Sequence, residues 1–179
     1  MSELRVIIAG GGTGGHLFPA LAIGDELKAR GIDVMYMGST YGIESKHLRD
    51  RNEKMRLLNI RGIQRSFSLA SIVQNLLFPF KFVKGYIESV FTILKFNPQV
   101  VVGTGGYASG LPLLAALLLK KKTLLQEQNS FPGITTRKLS CKVDTICIAY
   151  EVARQYLNET ALLTGNPIRK DLKLIDRKE

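Results

Sequence analysis

The sequence has little cysteine, no tryptophan, only two histidines, fewer acids than bases and no long apolar run. The two cysteines, Cys141 and Cys147, fit neither a zinc spacing nor a CxxC pair, and two make a poor disulfide framework. Both are expected as reduced thiols of a cytosolic protein, Cys147 packed in a strand. No Asp-x-Asp pair occurs, and His16 and His47 lack metal-ligand spacing. A metal-held diphosphate site therefore has no support, and no metal or cofactor is expected. Serine and cysteine nucleophile motifs are absent too. The longest apolar run, Leu111–Leu119, is far short of a membrane span. The N-terminus enters a short apolar strand without the basic flank and longer apolar stretch of a signal peptide, which predicts a soluble protein.

The shortage of acid is informative. Against 25 Lys and Arg stand 15 Asp and Glu, a net +10 that favours phosphorylated ligands, nucleic acid or an anionic membrane, unless it is only spread for solubility. No nucleic-acid recognition motif accompanies the charge, so no nucleic-acid partner is expected.

What is present is one well-cored domain. A chain of 179 residues, 45% hydrophobic, suffices for one α/β domain and not for two. Apolar runs at Leu4–Ala9, Val34–Met37, Met55–Ile60, Gln99–Val102, Thr123–Glu127, Asp144–Ile148 and Leu162–Thr164 read as strands. Helical segments at Pro19–Arg30, Ile43–Arg51, Leu69–Phe96 (broken or bent at Pro79), Leu111–Lys121 and Thr135–Ser140 lie between them. Uniformly apolar strands alternating with helices predict a doubly wound, Rossmann-like parallel sheet covered on both faces. Residues 1–167 form the domain in this reading, and 168–179 a linker or surface helix.

Four polar or glycine-rich groups follow strands, where such sheets bind ligands. The first is Gly10-Gly11-Gly12-Thr13-Gly14-Gly15-His16. Its Gly10, Gly12 and Gly15 match GxGxxG, a weak signal alone. The second strand ends Met37-Gly38-Ser39-Thr40 without the acid that holds a nicotinamide ribose, which counts against a dinucleotide. His16 is either a helix-capping side chain that only bonds the backbone, or a base or orienting group. The second group, Gly103–Gly110, carries Tyr107, placed to donate across a cleft or merely to pack on it. The third, Gln126-Glu127-Gln128-Asn129, ends a strand; Glu127 is a base, an orienting group or a solvated carboxylate. The fourth is Gly165-Asn166-Pro167-Ile168-Arg169, a turn followed by a cation suited to phosphate.

In this order the four groups resemble the MurG family: Gly-Gly-Thr-Gly-Gly-His, Gly-Gly-Tyr-x-Ser-Gly, Glu-Gln-Asn and Gly-Asn-Pro-x-Arg, from about Val6 to Arg169. The resemblance implies the N-terminal domain of a GT-B glycosyltransferase. That family transfers N-acetylglucosamine from UDP-N-acetylglucosamine to an undecaprenyl-diphospho-muramyl-pentapeptide, with inversion. The partners it implies are that donor, the polyprenyl-diphosphate-linked acceptor, a C-terminal donor domain absent from this chain, and the cytoplasmic face of the membrane. It further implies Thr13, Gly14, Gly15, Asn129 and Arg169 as donor-binding residues. Gly105, Gly106, Tyr107, Ser109 and Gln128 would bind acceptor. The catalytic candidates are His16, ranked first, then Glu127, with Tyr107. One departure is Gln126, where that family often carries a histidine; it removes one possible proton carrier.

Leu76, Leu77, Phe80, Lys81, Phe82 and Lys84 form an apolar stretch seeded with cations, flanked by Arg61, Arg65 and Lys95. It reads as an anionic-membrane patch or as a core-covering helix pair. A second functional class stays open: a non-catalytic acceptor- or membrane-binding module working with a separate donor chain.

Overall fold

The computed structural model describes residues 4–62, 68–157 and 160–168. Seven strands form one all-parallel sheet in the order β3-β2-β1-β4-β5-β6-β7. They are β1 Arg5–Ala9, β2 Asp33–Ser39, β3 Met55–Leu58, β4 Val100–Gly103, β5 Lys122–Glu127, β6 Thr145–Ile148 and β7 Leu162–Leu163. The helices are α1 Gly14–Ala29, α2 Glu44–Asp50, α3 Leu69–Leu76, α4 Phe78–Phe96, α5 Tyr107–Leu118 and α6 Ile134–Leu139. The doubly wound sheet expected from the sequence is present. Separate apolar clusters lie on its two faces, one around Ile7, Val101, Leu113 and Leu125, the other around Ile8, Leu17, Leu21 and Tyr36.

The helix starts differ from expectation. Helix α1 begins at Gly14 rather than Pro19, and α5 at Tyr107 rather than Leu111. Inside a helix proline loses the N–H that would bond four residues back, and its ring crowds that residue's carbonyl. For Pro19 that forfeits a bond to Gly15, which is exposed and can use water. Each glycine loop is thus shorter than its glycine count suggests. Pro79 behaves as expected: α3 stops at Leu76, and α4 begins at Phe78 with proline in its first turn.

Helix α4 is apolar on two faces. Phe78, Phe82, Tyr86 and Ile93 turn to the core, where the Phe78 and Phe82 rings lie 5.9 Å apart. Gly85 lets α4 approach α5 closely, since a Cβ there would sit 2.8 Å from Leu111 Cδ1. The second face carries Phe80, Val83, Ile87, Phe91 and Leu94 at helical spacing, all exposed. Sequence inspection placed Phe82 in the outer patch. It is one helical turn from Phe78 and packs inward.

Lys121 and Lys122, where β5 begins, are held by neighbouring side chains. Lys121 donates to Asn97 Oδ1 at 2.6 Å, and Lys122 pairs with Asp144 at 2.8 Å. The Lys122 ammonium, together with the hydroxyl and N–H of Thr123, holds the Asp144 carboxyl well below the usual carboxylate range. Cys147 lies half-buried in β6, and burial pushes its thiol up, partly offset by a hydrogen bond from Thr164.

Candidate active site

The order 3-2-1-4-5 reverses direction between β1 and β4, and Ala9 stands in register with Gly103. The first two glycine groups therefore leave neighbouring strands at the switch point, the crevice that binds ligands in open α/β sheets. β5 adjoins β4 and delivers Gln126 and Glu127 to the same edge.

His16 lies in the first turn of α1 and is locked to the second loop. Its Nδ1 is 3.0 Å from the carbonyl oxygen of Thr104 and 3.0 Å from Gln128 Oε1. Thr104 Oγ1 donates back to the His16 carbonyl at 2.8 Å. A carbonyl oxygen only accepts, so Nδ1 carries hydrogen and donates. Among the described residues Nε2 has no hydrogen-bond partner. The ring's seat needs glycine. A Cβ on Gly105 would lie 2.8 Å from Nδ1; one on Gly106 would lie 2.5 Å from the Gly11 oxygen and 3.0 Å from the ring. Gly106 also has φ +73°, a conformation that side chains disfavour.

Gln128 is buried behind His16. Its Nε2 donates to Thr104 O at 2.8 Å, to Gln126 O at 3.1 Å and to Gln126 Oε1. Gln126 Nε2 reaches Asn166 Oδ1, and Asn166 Nδ2 reaches Gln128 O, both at 3.5 Å, the outer limit of a hydrogen bond. All four sequence groups thus meet in one network.

Glu127 is fully buried, and its carboxylate is committed to its own loop. Oε1 accepts from Asn129 N at 3.0 Å and Asn129 Nδ2 at 2.8 Å, and Oε2 from Gly133 N at 3.3 Å. Asn129 itself is exposed. Tyr107 is half-buried against the first loop, where a Cβ on Gly12 would come within 2.8 Å of its ring. Ser109 is buried and closes the first turn of α5 by donating to Gly106 O at 3.0 Å. Among the described bonds, the N–H groups of Thr13, Gly14 and Gly15 have no protein acceptor. Arg169 and Arg65 lie outside the described residues.

Sequence reasoning missed Glu44. It is fully buried in the first turn of α2, accepting from Ser39 N at 2.7 Å and Gly12 N at 2.8 Å. Gly11, Gly38 and Gly42 crowd it so closely that a Cβ on any of them would fall within 2.6 Å of its side chain. The spacing Gly38-x-x-x-Gly42-x-Glu44, running from the end of β2 into α2, was the available signal. Among the described residues, no group of three His, Cys, Asp or Glu side chains is placed to hold a metal ion.

A parallel sheet with two interlocked glycine loops at its switch point defines a Rossmann-like ligand-binding domain. The chain belongs to glycosyltransferase family 28: residues 6–148 match that family's N-terminal domain. It is 41% identical over 181 residues, 99% of this chain, to the UDP-N-acetylglucosamine–N-acetylmuramyl-(pentapeptide) pyrophosphoryl-undecaprenol N-acetylglucosamine transferase of Flavobacterium psychrophilum, covering 48% of that protein. The enzyme of the same name from Christiangramia forsetii is 43% identical over 177 residues, 97% of this chain and 47% of its own length. The crystal structure of Acinetobacter baumannii MurG superposes with a TM-score of 0.78 at 29% identity, covering 93% of this chain and 47% of that one. The MurG resemblance and the GT-B N-terminal fold are borne out. The chain spans about half the length of the curated relatives it matches.

Proposed function

We propose that this chain is the acceptor-binding half of an inverting transferase that moves N-acetylglucosamine from UDP-N-acetylglucosamine to the muramyl 4-hydroxyl of an undecaprenyl-diphospho-muramyl-pentapeptide, in peptidoglycan synthesis. The observation that carries this reading is the convergence of all four motif groups on one network at the switch point, in a chain 41% and 43% identical to transferases of that name.

His16 is the base. Nδ1 is occupied as a donor, so in the neutral ring Nε2 holds the free lone pair. It takes the proton of the muramyl hydroxyl. The oxygen's electron pair forms the β-1,4 bond at the anomeric carbon, and UDP leaves with the electrons of the broken bond. Glu127 ranks behind His16, because three N–H donors already engage its oxygens. It shapes the loop that presents Asn129 to the donor sugar. The free N–H groups of Thr13, Gly14 and Gly15, at the start of α1, receive the departing diphosphate. Arg169 is assigned to the nucleotide on the sequence pattern alone. Gly105, Gly106 and Tyr107 form the acceptor wall, which Ser109 and Gln128 brace from behind. The chemistry is assigned to these groups without a metal or cofactor.

A polyprenyl acceptor stays in the bilayer, so the site must come to it. No described helix is long and apolar enough to cross a membrane. The outer face of α4 serves instead, on the cytoplasmic leaflet. Phe80 is 75% exposed and Phe91 66%, beside Lys81 and Lys84, and Leu76 at the end of α3 is 74% exposed. Apolar side chains bordered by cations suit an anionic interface.

The test is a chimera joining this chain to the second half of the Flavobacterium psychrophilum relative. It should transfer labelled N-acetylglucosamine to the lipid-linked acceptor. A folded chimera that binds UDP-N-acetylglucosamine but transfers nothing favours a second reading, a non-catalytic acceptor module, which the half-length match supports.

A further inference from the structure

We propose that Gln128, anchored by Gln126, is a positioning residue that joins the Thr104 carbonyl in selecting the tautomer of His16. Which end of the Gln128 amide faces His16 follows from its neighbours. Two backbone carbonyls, Thr104 O at 2.8 Å and Gln126 O at 3.1 Å, face Nε2 and require a donor there. Gln126 Oε1 adds a third acceptor on the same nitrogen. Rotating the amide would set oxygen against three oxygens. Oε1 is therefore held as the acceptor at 3.0 Å from His16 Nδ1.

The consequence falls on the imidazole. Nδ1 faces two acceptors, Gln128 Oε1 and Thr104 O, and a lone pair there would be repelled by both. The neutral ring is confined to the Nδ1–H form, with Nε2 unprotonated. Orienting groups behind a catalytic histidine do this in other enzymes with a carboxylate. Here the work falls to a pair of amides, which hold no charge and do not titrate. Burial of both glutamines keeps water from competing for these bonds. The Gln126 side chain, which looked only like the loss of a proton carrier, acquires a role: its Oε1 reinforces the direction in which two backbone carbonyls hold the Gln128 amide. The catalytic meaning of this arrangement rests on His16 being the base, but the arrangement itself can be measured without turnover.

The test is nitrogen NMR of this chain with isotope-labelled histidine, at a pH where the imidazole is neutral, using His47→Asn to leave one ring. His16 should show a protonated Nδ1 and an unprotonated Nε2. In Gln128→Met, which keeps the length and loses the amide, only the Thr104 carbonyl still faces Nδ1, and the Nε2–H form should become measurable beside the Nδ1–H form. Gln126→Met should give a smaller change in the same direction. An Nε2–H form in the parent chain overturns the proposal, and that measurement needs no variant to fold. A fully Nδ1–H ring in folded Gln128→Met overturns it equally. In the chimera, Gln128→Met should lower kcat about tenfold or more with KM for UDP-N-acetylglucosamine little changed. If the tautomer shifts while kcat does not, the positioning holds and the reading of His16 as base fails.

Discussion

Thr104 and His16 hold each other twice: the imidazole Nδ1 donates to the Thr104 carbonyl at 3.0 Å, and the Thr104 hydroxyl donates to the His16 carbonyl at 2.8 Å. This reciprocal pair joins the loops after β1 and β4, so the two glycine groups act as one unit. Gly10 leaves room for it, because a Cβ there would fall 1.9 Å from Thr104 Oγ1.

Gly106→Ala should break that unit. The substituent meets the Gly11 oxygen and the His16 ring, in a positive-φ backbone. The expected destabilisation is about 2 kcal/mol or more, measured by denaturant unfolding. A change under about 0.5 kcal/mol would show that the loops do not interlock as described.

Glu44→Gln should destabilise by about 1–3 kcal/mol, since an amide can accept only one of the two N–H bonds from Ser39 and Gly12. Glu44→Ala should cost more, leaving both donors unpaired beside a cavity. Equal stability of the Gln variant and the parent, by urea titration, would refute this strut.

Vesicle binding should report the outer face of α4. Phe80→Ser and Phe91→Ser should weaken binding to anionic vesicles even at high salt. Lys81→Glu with Lys84→Glu should weaken it mainly at low salt, each lysine contributing on the order of 1 kcal/mol. Phe82→Ser should instead lower folding stability, because Phe82 packs on the core. Unchanged binding after all four of these substitutions, at Phe80, Lys81, Lys84 and Phe91, would place the membrane surface elsewhere.

The 179-residue chain by itself should release no UDP above background from UDP-N-acetylglucosamine and a lipid-linked acceptor, because its matched relatives are about twice as long. Multiple turnovers by the chain would contradict the half-enzyme account.

The doubly wound parallel sheet and its strand positions were legible in the sequence because apolar runs and glycine loops report burial and tight connections directly; the strand order was not read there. Helix starts were not, because Pro19 and Pro112 imitate first-turn prolines while sitting in the second turn. The site was legible as four groups in order, but its internal wiring was not. Ser109 and Gln128, read as acceptor contacts, spend their polar atoms inside the protein. Glu44 was overlooked because a carboxylate beginning a short helix is usually solvated, and the glycine spacing before it hints at the crowding by Gly11, Gly38 and Gly42 that buries it. Phe80 and Phe82 look alike in the chain; the helical turn separates them.

The most direct measurement compares His16→Ala and Glu127→Ala in the chimera, following both turnover and UDP-N-acetylglucosamine binding. His16→Ala should lower kcat roughly a hundredfold to ten-thousandfold, as loss of a general base does, with donor binding nearly unchanged. Glu127→Ala should impair donor binding as well, because it frees the loop that carries Asn129. Near-normal turnover in His16→Ala, alongside collapse of kcat with intact donor binding in Glu127→Ala, would contradict the account and make Glu127 the base.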